Sequence, residues 1–186
     1  MPRIEDIQTT PNPNARKFIL REPLTWGVTR SYENAVQAQN DSLASALFAI
    51  GHVTNVFYVD HWITVTQDGD ADWDDLLRQL APPIRAAFGA DAQTSVTVES
   101  ASLLTGNLTS EERHRLEQIN ALLDERVRPY LQGDGGDLHV IGLQGKRLTV
   151  HYQGACGSCP SSLSGTLVGI ESMVKELDPE LEVVAV

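Results

Sequence analysis

A polar segment in the middle of the chain, residues 89–108, restricts the fold more than any other feature. Its sequence, GADAQTSVTVESASLLTGNL, is rich in small residues and follows neither helical nor strand periodicity. Such segments connect structured units and contribute little to a core. We therefore expect the 186 residues to form two small domains. The first domain covers residues 1–90, a linker covers 91–108, and the second domain covers 109–186.

The first half combines signals for strands and helices. In order, they predict a strand around Lys17–Leu20, a helix over 41–50, strands over 53–59 and 61–67, and an acidic-capped helix that contains Pro82 and Pro83. Asn40 or Asp41 is expected to cap the shorter helix. The two prolines are expected to kink or restart the longer one. This pattern predicts an α+β fold with helices packed on one face of a small sheet.

The second half begins with a helix. Thr109 and Glu112 form a capping box, and apolar residues then repeat at helical spacing to near Tyr130, with Pro129 in the last turn. The following signals are a GDGGD turn at 133–137, strands over 138–143 and 146–152, a helix that opens at Pro160, and a final strand LEVVAV. We expect a second α+β domain, with a three-stranded sheet.

The charge of the chain argues against several partners. A formal net charge of -11 repels phosphate backbones and anionic lipid, so we expect neither nucleic acid nor a membrane as partner. No apolar run reaches the roughly 18 residues of a membrane span. The first residues, MPRIEDIQTTPNPN, have the pattern of neither a signal peptide nor a transit peptide. We expect a cytoplasmic protein, or one of the mitochondrial matrix if a transit peptide has been removed.

The two cysteines of the chain, Cys156 and Cys159, lie in GACGSCP between the end of a strand and the start of a helix. The free N–H groups at the start of that helix favour a thiolate or an anionic metal cluster. The residues around the cysteines are small, so a second molecule can approach the sulfur atoms closely. The motif therefore predicts a thiolate site that is accessible to a partner.

Three chemistries fit a CxxC motif. A dithiol–disulfide redox site is typical of thioredoxin-like folds, but the chain after Cys159 suffices for only one helix and one strand. A zinc site needs two more ligands, and His139 and His151 lie on predicted strands in an order that matches no common zinc motif. An iron–sulfur cluster needs four thiolates, which two chains supply together at a two-fold interface. Such a cluster is easily released, which suits delivery.

The sequence closely resembles a known family. Residues 127–162, VRPYLQGDGGDLHVIGLQGKRLTVHYQGACGSCPSS, resemble the NifU C-terminal domain of Nfu-type iron–sulfur carriers. The first half resembles the Nfu N-terminal domain in three stretches, which are TPNPNARKF, LASALFAIGHVTNVFYVDHWITVT and DWDDLL. One departure is the order Gly157–Ser158, which is reversed in many relatives.

The resemblance implies a carrier and not an enzyme. Cys156 and Cys159 are expected to bind a 4Fe-4S cluster between the two chains of a homodimer, with a 2Fe-2S cluster as an alternative. The cluster passes to apo client proteins, and the cluster assembly machinery is a further expected partner. The alternative function is that of a CxxC dithiol–disulfide redox protein. Asp134 and Asp137 are interpreted as residues of a glycine-rich turn and not as an acid–base pair.

Overall fold

The computed structural model describes residues 3–87, 109–157 and 160–186. The chain divides into two compact units, Met1–Val96 and Thr97–Val186, and each contains helices packed on a sheet. This confirms the predicted α+β fold with two domains. The predicted linker, residues 91–108, lies outside the described residues. None of the helices in the described ranges has the length and apolar character needed to cross a membrane.

The N-terminal unit is built on a five-stranded antiparallel sheet. Its strands are β1 (Ile4–Thr9), β2 (Ala15–Leu20), β3 (Arg30–Tyr32), β4 (Val53–Val59) and β5 (Trp62–Gln67). Their order across the sheet is β1-β2-β5-β4-β3. The strands β2, β4 and β5 match the predicted ones closely, whereas β1 and β3 were not predicted. Both are edge strands, and β1 exposes most of its side chains, so its sequence lacks the alternation of a half-buried strand.

Two helices cover one face of this sheet. They are α1 (Ser42–Phe48) and α2 (Trp73–Ala86), with a short 3-10 helix at Gln37–Asn40 before them. Leu47 and Leu80 pack between the helices and the apolar face of the sheet. The helix α2 continues through Pro82 and Pro83 to Ala86, so the predicted restart does not occur.

The C-terminal unit places a helical layer against a three-stranded sheet. Its helices are α3 (Ser110–Arg126), α4 (Arg128–Gly133) and α5 (Pro160–Val174), and its strands are β6 (Gly136–Gln144), β7 (Arg147–Gly154) and β8 (Glu182–Ala185). The strands β6 and β7 form an antiparallel hairpin, and β8 pairs in parallel with β7 after the crossover through α5. The central strand β7 therefore leads directly into the cysteine motif.

One sequence expectation for this unit was wrong in detail. The helix that starts at the Thr109 capping box does not continue to Tyr130. It ends at Arg126, and α4 begins at Arg128 with Pro129 in its first turn. Proline lacks the N–H that a helix interior requires, but it is well tolerated in the first turn, so the chain restarts its helix there.

A buried carboxylate, Asp41, ties the N-terminal unit together. Its Oδ1 atom accepts a hydrogen bond from the Ala44 N–H at 2.9 Å and so caps α1. Its Oδ2 atom accepts from Arg30 Nη1 at 3.0 Å, from the Tyr32 hydroxyl at 2.8 Å and from the Tyr58 hydroxyl. Burial acts to raise the pKa of Asp41, but these donors outweigh it and hold the pKa below its ordinary value.

Replacing Asp41 should destabilise the N-terminal unit strongly. In Asp41→Ala the buried Arg30 guanidinium loses its carboxylate, and we expect a loss of about 3–5 kcal/mol in the free energy of unfolding. Urea denaturation measures this loss. Asp75→Ala is the matched control, because its ion pair with Arg78 is exposed and its loss should cost less than about 1 kcal/mol. Equal losses of unfolding free energy in the two variants would show that the buried network stabilises the unit no more than an exposed ion pair does.

Candidate metal centre

The cysteine motif lies at the end of the β6–β7 hairpin opposite to its turn. Gly154 closes β7 with a φ of 65°, a left-handed conformation that glycine adopts without strain. The Ala155 N–H then donates to the Gly135 carbonyl at 3.1 Å, and the Gly157 N–H donates to the Gly154 carbonyl at 3.2 Å. These bonds form a tight turn that holds Cys156 beside the first residues of β6.

The Cys156 side chain is seated on the backbone of Gly136. Cys156 is only 2% exposed and packs with the apolar core of the unit. A Cβ atom on Gly136 would lie 2.6 Å from Cys156 Sγ and 2.6 Å from the Gln153 carbonyl oxygen, which is far inside contact distance. Residue 136 must therefore be glycine for the sulfur to occupy this position.

Gly136 is the functional residue that sequence reasoning missed. The GDGGD segment was interpreted only as a turn, although its second half begins β6 and faces Gly154 in the antiparallel register. The signal was present, because two adjacent glycines at the start of a strand indicate close approach of another group. The identity of that group depends on strand pairing, which the sequence did not give.

Cys159, the second predicted ligand, lies outside the described residues, as does Ser158. The helix α5 begins at Pro160, directly after it. The structure thus places Cys156 in detail, and the participation of both cysteines in one site stays a prediction.

A tyrosine adds a polar group to the surroundings of Cys156. Tyr152 lies on β7 and is almost fully buried. Burial and, after it, the charge of Cys156 raise the pKa of Tyr152 to about 12, so its hydroxyl stays protonated at neutral pH. Within the described part of the chain this hydroxyl has no hydrogen-bond partner.

A second buried carboxylate, Asp137, fastens α4 to the start of β6. Its Oδ1 atom accepts from the Leu138 N–H at 2.8 Å and faces Arg128 Nη1 at 3.5 Å, while its Oδ2 atom accepts from Gln132 Nε2 at 3.3 Å. Asp134, in contrast, is exposed after the end of α4. Asp137 therefore holds the strand that carries Gly136, which is a structural task.

The two histidines considered as zinc ligands face away from Cys156. His139 and His151 oppose each other across β6 and β7, on the face that alternates with the core residues Leu138 and Val150. Cys156 packs on the core side. Across the described ranges, no three His, Cys, Asp or Glu residues come together in a way that can hold a metal ion. The geometry gives the zinc interpretation no support.

Gly136→Ala should damage both the fold and the site. The added methyl group meets Cys156 Sγ and the Gln153 carbonyl, so we expect a loss of about 1–3 kcal/mol in the free energy of unfolding and a displaced thiol. Urea denaturation and the alkylation rate of Cys156 measure the two effects. Gly142→Ala is the control on the same strand, because a Cβ at residue 142 meets nothing within 4 Å. Unchanged stability and alkylation in Gly136→Ala would contradict the close contact.

The half-buried His139 should make the stability of this unit depend on pH. Burial, and after it the positive charge of Arg128, lowers the pKa of His139. Its neutral form is thus favoured in the folded state. The resulting stability is complete above the unfolded-state pKa and is lost as the pH falls through the lower folded-state pKa. The free energy of unfolding should fall between pH 8 and pH 5 by more in the parent protein than in His139→Gln. Equal falls would contradict the prediction.

Comparisons with known proteins agree with this architecture. Residues 4–91 match the family described as scaffold protein Nfu/NifU N terminal, and residues 119–185 match the NifU-like domain. The human mitochondrial NFU1 iron-sulfur cluster scaffold homolog is 36% identical over 179 residues, which cover 94% of this chain and 68% of the relative. NifU-like protein 5, a mitochondrial protein of Arabidopsis thaliana, is 29% identical and covers 94% of this chain. The chain spans 64% of the length of that protein.

Among solved structures, a crystal structure of a Staphylococcus aureus protein shares 25% sequence identity, with a TM-score of 0.39. The aligned region covers 44% of this chain and 96% of the Staphylococcus aureus chain.

The family predicted from the sequence is confirmed by the two domain matches and by the human relative. The chain therefore belongs to the Nfu family of scaffold proteins and joins an Nfu N-terminal domain to a NifU-like domain.

Proposed function

We propose that this protein carries an iron–sulfur cluster and delivers it to apo client proteins. The observation that supports this most directly is the seating of Cys156 on Gly136, in a tight turn immediately before α5. The names of its relatives describe iron–sulfur cluster scaffolds, which is consistent with such a role. The protein acts as a scaffold and not as an enzyme.

The number of cysteines points to a cluster shared between two chains. A 4Fe-4S cluster is usually held by four thiolates, and one chain contains only Cys156 and Cys159. Two chains related by a two-fold axis supply all four. A 2Fe-2S cluster has the same requirement and is the alternative cargo. Homodimerisation on cluster binding follows from this count.

Transfer proceeds by exchange of thiolates. Cysteines of the apo client replace Cys156 and Cys159 one at a time, so the number of iron–sulfur bonds stays constant. In this structure Cys156 is 2% exposed and packs with the apolar core, so its sulfur atom has to move outward to meet a client thiolate. The clients and the assembly machinery are the partners of this exchange.

The relatives also bear on the compartment. The human and Arabidopsis relatives carry the word mitochondrial in their names, which favours the matrix over the cytoplasm expected from the sequence. We infer that this protein serves the iron–sulfur proteins of such a compartment, and the acidic surface makes nucleic acid an unsuitable partner.

Anaerobic reconstitution with iron and sulfide, followed by native mass spectrometry, tests the proposal. We expect a species of two chains with one 4Fe-4S cluster, and we expect it to disappear in Cys156→Ser because a hydroxyl is a poor cluster ligand. Gly142→Ala should load like the parent protein, since its strand position is open. A monomer that takes up no cluster but gains and loses a disulfide reversibly would instead establish the dithiol redox alternative.

A further inference from the structure

The helix after the cysteine motif lacks charge over most of its length. From Ala155 to Ile170 the sequence contains no Asp, Glu, Lys, Arg or His, although 21% of the chain is charged. One side of α5 faces the core through Ile170 and Val174. A surface helix normally carries charged residues on its other side, to remain in contact with water. The missing charges therefore need an explanation.

The outward side of α5 is small and apolar. We define the α5 outer face as Gly165, Val168, Gly169 and Ser172. Val168 is 63% exposed, and Cβ atoms built on Gly165 and Gly169 meet nothing within 4 Å in the described part of the chain. The face thus presents one apolar knob between two open gaps. Such small residues allow two helices to approach closely.

The polar group on this face is already satisfied within the helix. The Ser172 hydroxyl donates to the Val168 carbonyl at 2.8 Å. Covering the face would therefore leave this hydroxyl with its partner, and the usual cost of burying a polar group would be avoided. The α5 outer face has the properties of an interface core, where charged residues are depleted.

We propose that a second copy of this chain packs on the α5 outer face, with α5 against α5 about a two-fold axis. This inference rests on the proposed function, in which one chain supplies only half of the cluster ligands. The helix α5 begins directly after Cys159, so pairing the two helices in parallel, with the two-fold axis along them, brings the two cysteine motifs to the same end of the interface. Each Val168 then fills the gap beside the glycines of the opposite helix.

The charge of the chain favours a second copy as the occupant. Two chains with a formal net charge of -11 each repel one another over most of their surfaces. Like charges placed opposite each other cost several kcal/mol, so self-association requires a surface without them. The α5 outer face meets this requirement and lies on the helix that follows the cysteine motif in the sequence.

Val168→Glu tests the proposal in the full chain. In a two-fold interface the change places two carboxylates close together, so the dissociation constant of the cluster-loaded dimer should rise about 100-fold or more. Analytical ultracentrifugation under anaerobic conditions measures this constant. Val36→Glu is the matched control, since Val36 is an apolar residue of the N-terminal unit that is 72% exposed. The control should leave the dissociation constant within about twofold of the parent value.

Gly165→Leu separates loss of pairing from loss of folding. A Cβ atom at residue 165 meets no described atom within 4 Å, and leucine favours a helix more than glycine does. The variant should therefore unfold at a temperature no lower than the parent protein, while its dimer weakens as in Val168→Glu. A dimer of parent affinity in both variants would overturn the inference.

The remaining outcomes distinguish this inference from the proposed function. If both variants retain the cluster-loaded dimer but deliver the cluster to an apo ferredoxin more slowly, the α5 outer face binds clients, and the inference is wrong while the carrier function stands. If the parent protein itself forms no dimer with a shared cluster, the proposed function fails first. If the two variants are monomeric while the parent protein and the Val36→Glu control form the cluster-loaded dimer, both this inference and the proposed function are supported.

Discussion

The contact between the Cys156 sulfur atom and the backbone of Gly136 is the constraint on which the C-terminal unit depends. It requires β6 and β7 to pair in a register that sets Gly136 opposite Gly154. The register in turn is fixed by the alternation of core and surface residues along both strands. The Asp137 carboxylate, held by Arg128 and Gln132, keeps the first residues of β6 in place. The Cys156 sulfur atom, which we propose as a cluster ligand, is thus positioned by ordinary sheet packing and one buried carboxylate.

The two units use buried carboxylates in related ways. In the N-terminal unit Asp41 joins α1 to two strands through its bonds to Arg30 and Tyr58, and in the C-terminal unit Asp137 joins α4 to β6. Each carboxylate also accepts a backbone N–H. Each therefore links a short helix to the sheet through polar contacts.

The parts of the fold that were predicted from sequence are those with local signals. The capping box at Thr109 and the cap at Asp41 are confirmed, because each depends on residues only three positions apart. The strand β1 was missed, since it owes its existence to pairing with β2 and not to its own pattern. The residues of the candidate site also differ in whether local sequence reveals them. The cysteine motif was recognised from adjacent residues, whereas Gly136 gains its role from a strand partner near Gly154.

The parallel pairing of β8 with β7 has a consequence for biosynthesis. Residues 182–185 complete the sheet that supports the cysteine motif, and they leave the ribosome well after Cys156. The N-terminal unit contains all of its own strands and can fold earlier, as leading domains usually do. During translation the Cys156 thiol therefore exists before the sheet is complete. Under the proposed function, loading with a cluster therefore follows the synthesis of β8.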